Sequence, residues 1–136
     1  VAGGVDVLDF SAFSIDTNGT FDTPASLSAV LTSNPSSSST QVAGTIVRLV
    51  DITSGQDIKT AIGLQTALAT GGEYANLDMK PNSNAIFITS ATDSDSDADY
   101  IFFATSDGNG VITVALVGQT AANSDIDLYA NTGFGI

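Results

Sequence analysis

The chain has no cysteine, no histidine and no tryptophan, and only three of its 136 residues are basic. Without Cys or His there is no thiolate nucleophile, no imidazole general base and no ordinary zinc or iron–sulfur site. The lack of Cys suits a bacterial extracellular protein that avoids mispaired disulfides, and suits a cytosolic one equally. Three bases against 15 acids leave a formal charge of -12. That argues against tracking the phosphates of a nucleic acid and against docking on an anionic membrane. Long hydrophobic runs are missing too. The longest, around Ile46–Ile52 and Val111–Val117, are strand-sized, so no membrane insertion is expected. No basic segment leading into an apolar one marks a Sec-type signal. A chain opening on Val1 is expected to be a processed product or a piece of something longer.

What is present is a globular composition, with 43% hydrophobic residues, 13% charged and much Ser, Thr, Gly and Asn. The length suits one domain over residues 1–136 with one core. The three bases, Arg48, Lys59 and Lys80, all lie in the middle third. The segments before Arg48 and after Lys80 carry acids and no bases. Those outer segments repel themselves unless cations screen or bind them.

The apolar periodicity reads mainly as strand. Val5–Phe13 is a strand-like opening, and Thr17–Thr20 is an Asn-Gly turn. Thr23-Pro24 has the form of an N-cap followed by proline at the first helical position. It predicts a two-turn helix through Leu31 that buries Leu27, Val30 and Leu31. Ser36–Ser39 reads as a surface loop, and Val42–Ile52 as an interior strand apolar on both faces. Ser54 and Asp57 form an S-x-x-D capping box ahead of a helix. Its buried stripe would be Ile58, Ala61, Ile62, Leu64 and Leu68, and Gly71-Gly72 would end it. Three strands follow, Ala85–Ser90, Tyr100–Thr105 and Val111–Val117, the last two joined by the hairpin signal Ser106–Gly110. The expected fold class is mainly β, a β-sandwich or β-sheet-rich domain with one or two short covering helices.

Asp93, Asp95, Asp97 and Asp99 alternate with small residues. A curled backbone can turn such carboxylates to one hard cation such as Ca2+. A solvated acidic turn is the competing reading. An EF-hand is excluded, because its sixth position would be Ala98 rather than Gly and its twelfth Ala104 rather than Glu. The strand from Tyr100 to Thr105 spans roughly 20 Å at about 3.3 Å per residue, which sets Asp107 at the far end from the Asp run. An up-down strand order then returns the chain to the Asp-run end, where Asp125 and Asp127 could join the site. Asp107 and Asn109 are left to shape the hairpin turn.

The two ends also carry a family resemblance. Gly3-Gly4-Val5-Asp6-Val7-Leu8-Asp9-Phe10 resembles the exit from an RTX calcium-binding repeat array, with Gly4, Asp6 and Leu8 fitting the second half of the unit G-G-x-G-x-D-x-U-x. Residues 85–136, with "AIFITSATD" and "DYIFFATSDGNGVITVALVGQT", resemble the C-terminal domains of RTX-like surface-layer proteins and adhesins exported by type I systems. About half the chain is covered. The resemblance implies that Asp6 is a further calcium ligand and that Asp125–Ile136 is read by the type I secretion machinery.

Catalysis is not expected. Carboxylate pairs can hydrolyse glycosides, but no Trp and only Tyr74, Tyr100 and Tyr129 are available to line a sugar cleft. No G-x-S-x-G or S-x-x-K motif is present. The leading expectation is an extracellular or cell-surface structural protein, or a module of one, stabilised by calcium and assembling with copies of itself. A carbohydrate- or ligand-binding module is the alternative.

Overall fold

β-Branched and aromatic runs bounded by Gly, Asn and Asp build the strands of this chain. The computed structural model describes residues 8–9, 27–31, 33–36, 40–50, 57–90, 98–120 and 134–135. In chain order these give β1 (Leu8–Asp9), β2 (Leu27–Leu31), β3 (Thr40–Val42), β4 (Thr45–Val50), α1 (Ala61–Leu68), β5 (Leu77–Met79), β6 (Asn84–Ser90), β7 (Tyr100–Ser106), β8 (Ile112–Gln119) and β9 (Phe134–Gly135). The fold is mainly β with one short helix. Among the described residues no helix is long and apolar enough to cross a membrane.

The main sheet has five strands in the order β2-β4-β6-β7-β8. β2, β4 and β6 run parallel, and β6, β7 and β8 form an antiparallel meander. Parallel neighbours need a crossover, and α1 with β5 supplies it between β4 and β6. Two small parallel pairs complete the set, β3 with β5 and β1 with β9.

Side chains alternate along a strand, so the registers divide the sheet into two faces. Val47 and Leu49 of β4, Phe87 of β6, Phe102 of β7 and Val114 of β8 join the core beneath α1 and β5, with Leu64 and Leu77 above. The opposite face holds Ile46, Arg48, Ile86 and Ile88, all at most 2% exposed. Burial on both faces makes the sheet an internal layer, as the apolar run of β4 predicts. The crossover is tied down by polar contacts. Thr89 Oγ1 donates to the Ile58 carbonyl at 2.7 Å, and the buried Tyr74 hydroxyl donates to the Val50 carbonyl.

Three expectations are corrected. The helix foreseen from Thr23 to Leu31 is, at Leu27–Leu31, the strand β2. The spacing of Leu27, Val30 and Leu31 also suits an edge strand, and parallel pairing with β4 prevails over the local cap signal. The strand foreseen over Val42–Ile52 breaks at Ala43-Gly44. Gly44 takes φ 58°, a left-handed conformation glycine adopts freely, and sends β3 and β4 to different sheets. The helix cap is Thr60 rather than Ser54, which lies outside the described residues. Thr60 Oγ1 accepts from Gly63 N–H at 3.0 Å, so the helix starts late. Its buried residues are Leu64, Ala67 and Leu68, while Ile62 is 80% exposed. Ile58 is buried as foreseen, from the turn ahead of the helix.

Gly63 stands where a Cβ would lie 1.7 Å from the Asp57 carbonyl oxygen. Helix propensity alone favours Gly63→Ala by about 1 kcal/mol, but the clash is with backbone and cannot be relieved by a rotamer. Gly63→Ala is therefore expected to destabilise the fold by roughly 1–3 kcal/mol, more than Thr60→Ala at about 1 kcal/mol. Urea unfolding of the two variants checks the order. A Gly63→Ala protein more stable than wild type would contradict it.

Candidate functional site

The antiparallel meander sets two acids of the C-terminal half, Asp99 and Asp107, at opposite ends of the sheet. β7 runs between Asp99 and Asp107, so these two carboxylates sit at opposite ends, as the strand length predicts. At the Asp99 end, β8 brings the chain back. Thr120 N–H donates to the Asp99 carbonyl at 2.9 Å, and Asp99 N–H donates to Thr120 Oγ1 at 3.0 Å. Asp99 is 2% exposed and its hydrogen bonding is engaged. The other foreseen ligands, Asp6, Asp93, Asp95, Asp97, Asp125 and Asp127, lie outside the described residues. Among the described residues no three acids are grouped to hold a metal ion.

At the opposite end Asp107 organises the β7–β8 turn. Its carboxylate accepts from Asn109 N–H at 2.8 Å and Val111 N–H at 2.9 Å, and its carbonyl accepts from Gly110 N–H at 3.0 Å. Gly110 takes φ 81°, the left-handed position this turn needs. The Val111 and Asn109 N–H groups hold the Asp107 carboxyl below its ordinary 3.8. Its role is local, shaping the hairpin as the sequence foretells.

Two features were not singled out as sites by the sequence. One is a cleft of about 470 Å³ lined by Gln65, Leu68, Ala69, Leu77, Asp78 and Ile112 among others. It lies where α1 and β5 meet the start of β8. Its lining joins residues 65–78 to the distant residues 110–112, so only the tertiary fold reveals it.

The other is the open side of β8. Among the described residues β8 ends the strand order and pairs with β7 alone, and it contains neither a charge nor a proline. Val111, Leu116 and Val117 are 57%, 48% and 42% exposed. Hydrogen-bond parity fixes which groups face outward. Ser106 N–H donates to the Ser83 carbonyl on the β6 side, so Ser106, Ala104 and Phe102 bond toward β6. Their opposites Ile112, Val114 and Leu116 then present N–H and C=O away from β7. The side chain of Gln65 confirms the direction, since its Nε2 reaches the Ile112 carbonyl at 3.1 Å. Val117 and Gly118 together oppose Ile101, a bulge just beyond Leu116. A run of eight uncharged residues at the end of a meander is the sequence signal for such an edge.

Comparison of the chain with family models, curated proteins and solved structures gives no match.

The depressed pKa of Asp107 makes the hairpin acid-sensitive. A carboxylate held below its unfolded value stabilises fully above that value and loses its contribution as pH falls through the folded pKa. At neutral pH Asp107→Ala is expected to melt below wild type. The gap in Tm should close as pH falls below about 4, near the unfolded aspartate pKa. A gap that stays constant over that window would show that the carboxylate is not the group that matters.

Proposed function

We propose that the chain is a non-enzymatic, secreted structural or cell-surface protein, or the C-terminal module of one, stabilised by calcium and assembling with copies of itself. The observation that carries this reading is the pairing of Asp99 with Thr120 at one end of the sheet. Asp97 is two residues before Asp99, and Asp125 is five after Thr120. At no more than about 3.5 Å per residue, the Asp run and the Asp125–Asp127 pair are tethered within reach of one place. Carboxylates brought together repel unless a cation joins them, and calcium takes six to eight oxygen ligands, carboxylates among them. The buried Asp99 carboxylate is the group already fixed in position. Bound calcium would supply the positive charge that lets both acidic segments settle. Export by a type I system through Asp125–Ile136 belongs to the same reading and follows from the RTX-like resemblance of the ends.

Calcium that binds only the folded chain adds about 2.7 kcal/mol at a hundred times its Kd, a rise of roughly 5–10 °C in Tm for a domain of this size. Thermal unfolding in calcium and in chelator measures it. The combined change Asp93→Asn, Asp95→Asn, Asp97→Asn should abolish most of the rise, while Asp107→Asn should leave it. Equal Tm values with and without calcium, and no ion bound at equilibrium dialysis, would remove calcium from the reading.

The cleft beside α1 supports a second reading, a ligand-binding module. Its volume falls in the range of small-molecule sites, and Gln65 and Asp78 offer polar groups beside the apolar Leu68, Leu77 and Ile112. A glycan array screened with wild type and Asp78→Ala tests it. Binding lost in the variant supports a sugar site there, and an array without signal counts against one.

A further inference from the structure

The open edge of β8 has a specific complement. We infer that it pairs antiparallel with the same edge of a second copy of this chain, about a two-fold axis at Ala115. This inference rests on the assembling reading above and names the surface used.

The occupant follows from charge and hydrogen bonding together. Two copies at -12 each repel over most of their surface. From Ile112 to Gln119 the edge carries no charge, so a like-charged copy can approach along it. It also presents exposed apolar side chains at Leu116 and Val117. Along Val114–Leu116 the strand carries no charge, lysine or proline to protect the edge, and among the described residues no strand other than β7 pairs with it. The only side chain among the described residues that donates to this edge is Gln65, and it takes the carbonyl of Ile112.

That cap selects the register. With Ile112 engaged, the outward groups left are those of Val114 and Leu116. Antiparallel self-pairing satisfies both when Val114 of each copy lies opposite Leu116 of the other. The two copies of Ala115 then meet on the axis as a non-hydrogen-bonded pair, with Cα atoms about 4.5 Å apart. Ala115 is exposed and small, so nothing on that face blocks the approach. The bulge at Val117-Gly118 ends the regular edge and limits the paired stretch. An interface of one short strand pair buries little area, which implies a weak, concentration-dependent dimer.

The absence of native cysteine gives a direct test. Ala115→Cys places two thiols within the Cα separation of a disulfide, about 4.4–6.8 Å. Thr113→Cys is also exposed on β8, but in this register the two copies stand roughly 13 Å apart along the strands. Under mild oxidation Ala115→Cys should give a cross-linked dimer about tenfold or more faster than Thr113→Cys, because only the first pair enjoys a high effective concentration. Circular dichroism confirms that both variants fold, and sedimentation of wild type with and without calcium reads assembly independently. Equal cross-linking rates while wild type self-associates would overturn the β8 edge and leave the assembling reading standing. A wild type that stays monomeric in every condition, with slow cross-linking of both variants, would overturn both.

Discussion

Phe87 faces Phe102 across the centre of the main sheet, both fully buried beneath α1 and β5. Most of the structure depends on that one cross-strand pair. Because side chains and backbone groups alternate with the same period of two, directing Phe87 and Phe102 toward the helix settles three other things. It sends Ile86, Ile88 and Ile101 to the second buried face. It bonds Phe102 toward β6 and so turns its opposite, Leu116, outward at the edge. It also brings Asp99 and Thr120 level at the end of the β7–β8 ladder. A slip of one residue would turn the rings out of the core beneath α1 and would reverse the edge of β8 as well.

The same arrangement explains where the charge can go. β4, β6, β7 and β8 contain no acid among them, and their single charged residue is the buried Arg48. The described acids lie outside these four strands, at Asp9, Asp57, Glu73, Asp78, Asp99 and Asp107, and Asp99 and Asp107 flank β7. A sheet buried on both faces cannot hold unpaired carboxylates, so a chain this acidic must concentrate them at its ends. The two ends handle the problem differently. Asp107 spends its charge on backbone N–H groups and needs no ion. Asp99 sits beside a run of further acids that no turn of that size can satisfy with its own amides.

The parts of the fold legible in the sequence were those set by local chemistry. The Asp-Gly-Asn-Gly stretch announces the hairpin, and the runs around Phe87, Phe102 and Val114 announce its strands, because turn and alternation agree there. β2 was illegible, since Leu27, Val30 and Leu31 fit a helix as well as a strand and only pairing with β4 decides. β5 is three residues long and carries no signal of its own; its partner β3 defines it. Ile62 looked buried because it would share a helical face with Ile58, but the helix starts only after Thr60 and Ile58 lies in the turn before it. The sequence placed the foreseen ligand Asp99 and the turn-shaping Asp107 at opposite ends, a matter of strand length alone. The β8 edge was harder, because being uncharged is a property of the strand while being last in the sheet is a property of the topology.

A sheet that joins a second sheet about a two-fold axis is closed. Both copies use the same edge, so pairing at Ala115 yields a dimer with a continuous sheet of about ten strands, near the limit for a twisted open sheet. A filament or lattice needs a second, different contact. The acidic segments of two copies cannot provide one directly, because like charges repel. A divalent ion changes that, since oxygens from two copies can share its coordination shell. The neutral edge and the acidic end therefore have separable roles in any larger assembly. In the assembly proposed above, the edge pairing would depend on strand register and need no calcium, whereas a contact through shared calcium would depend on the ion and not on register.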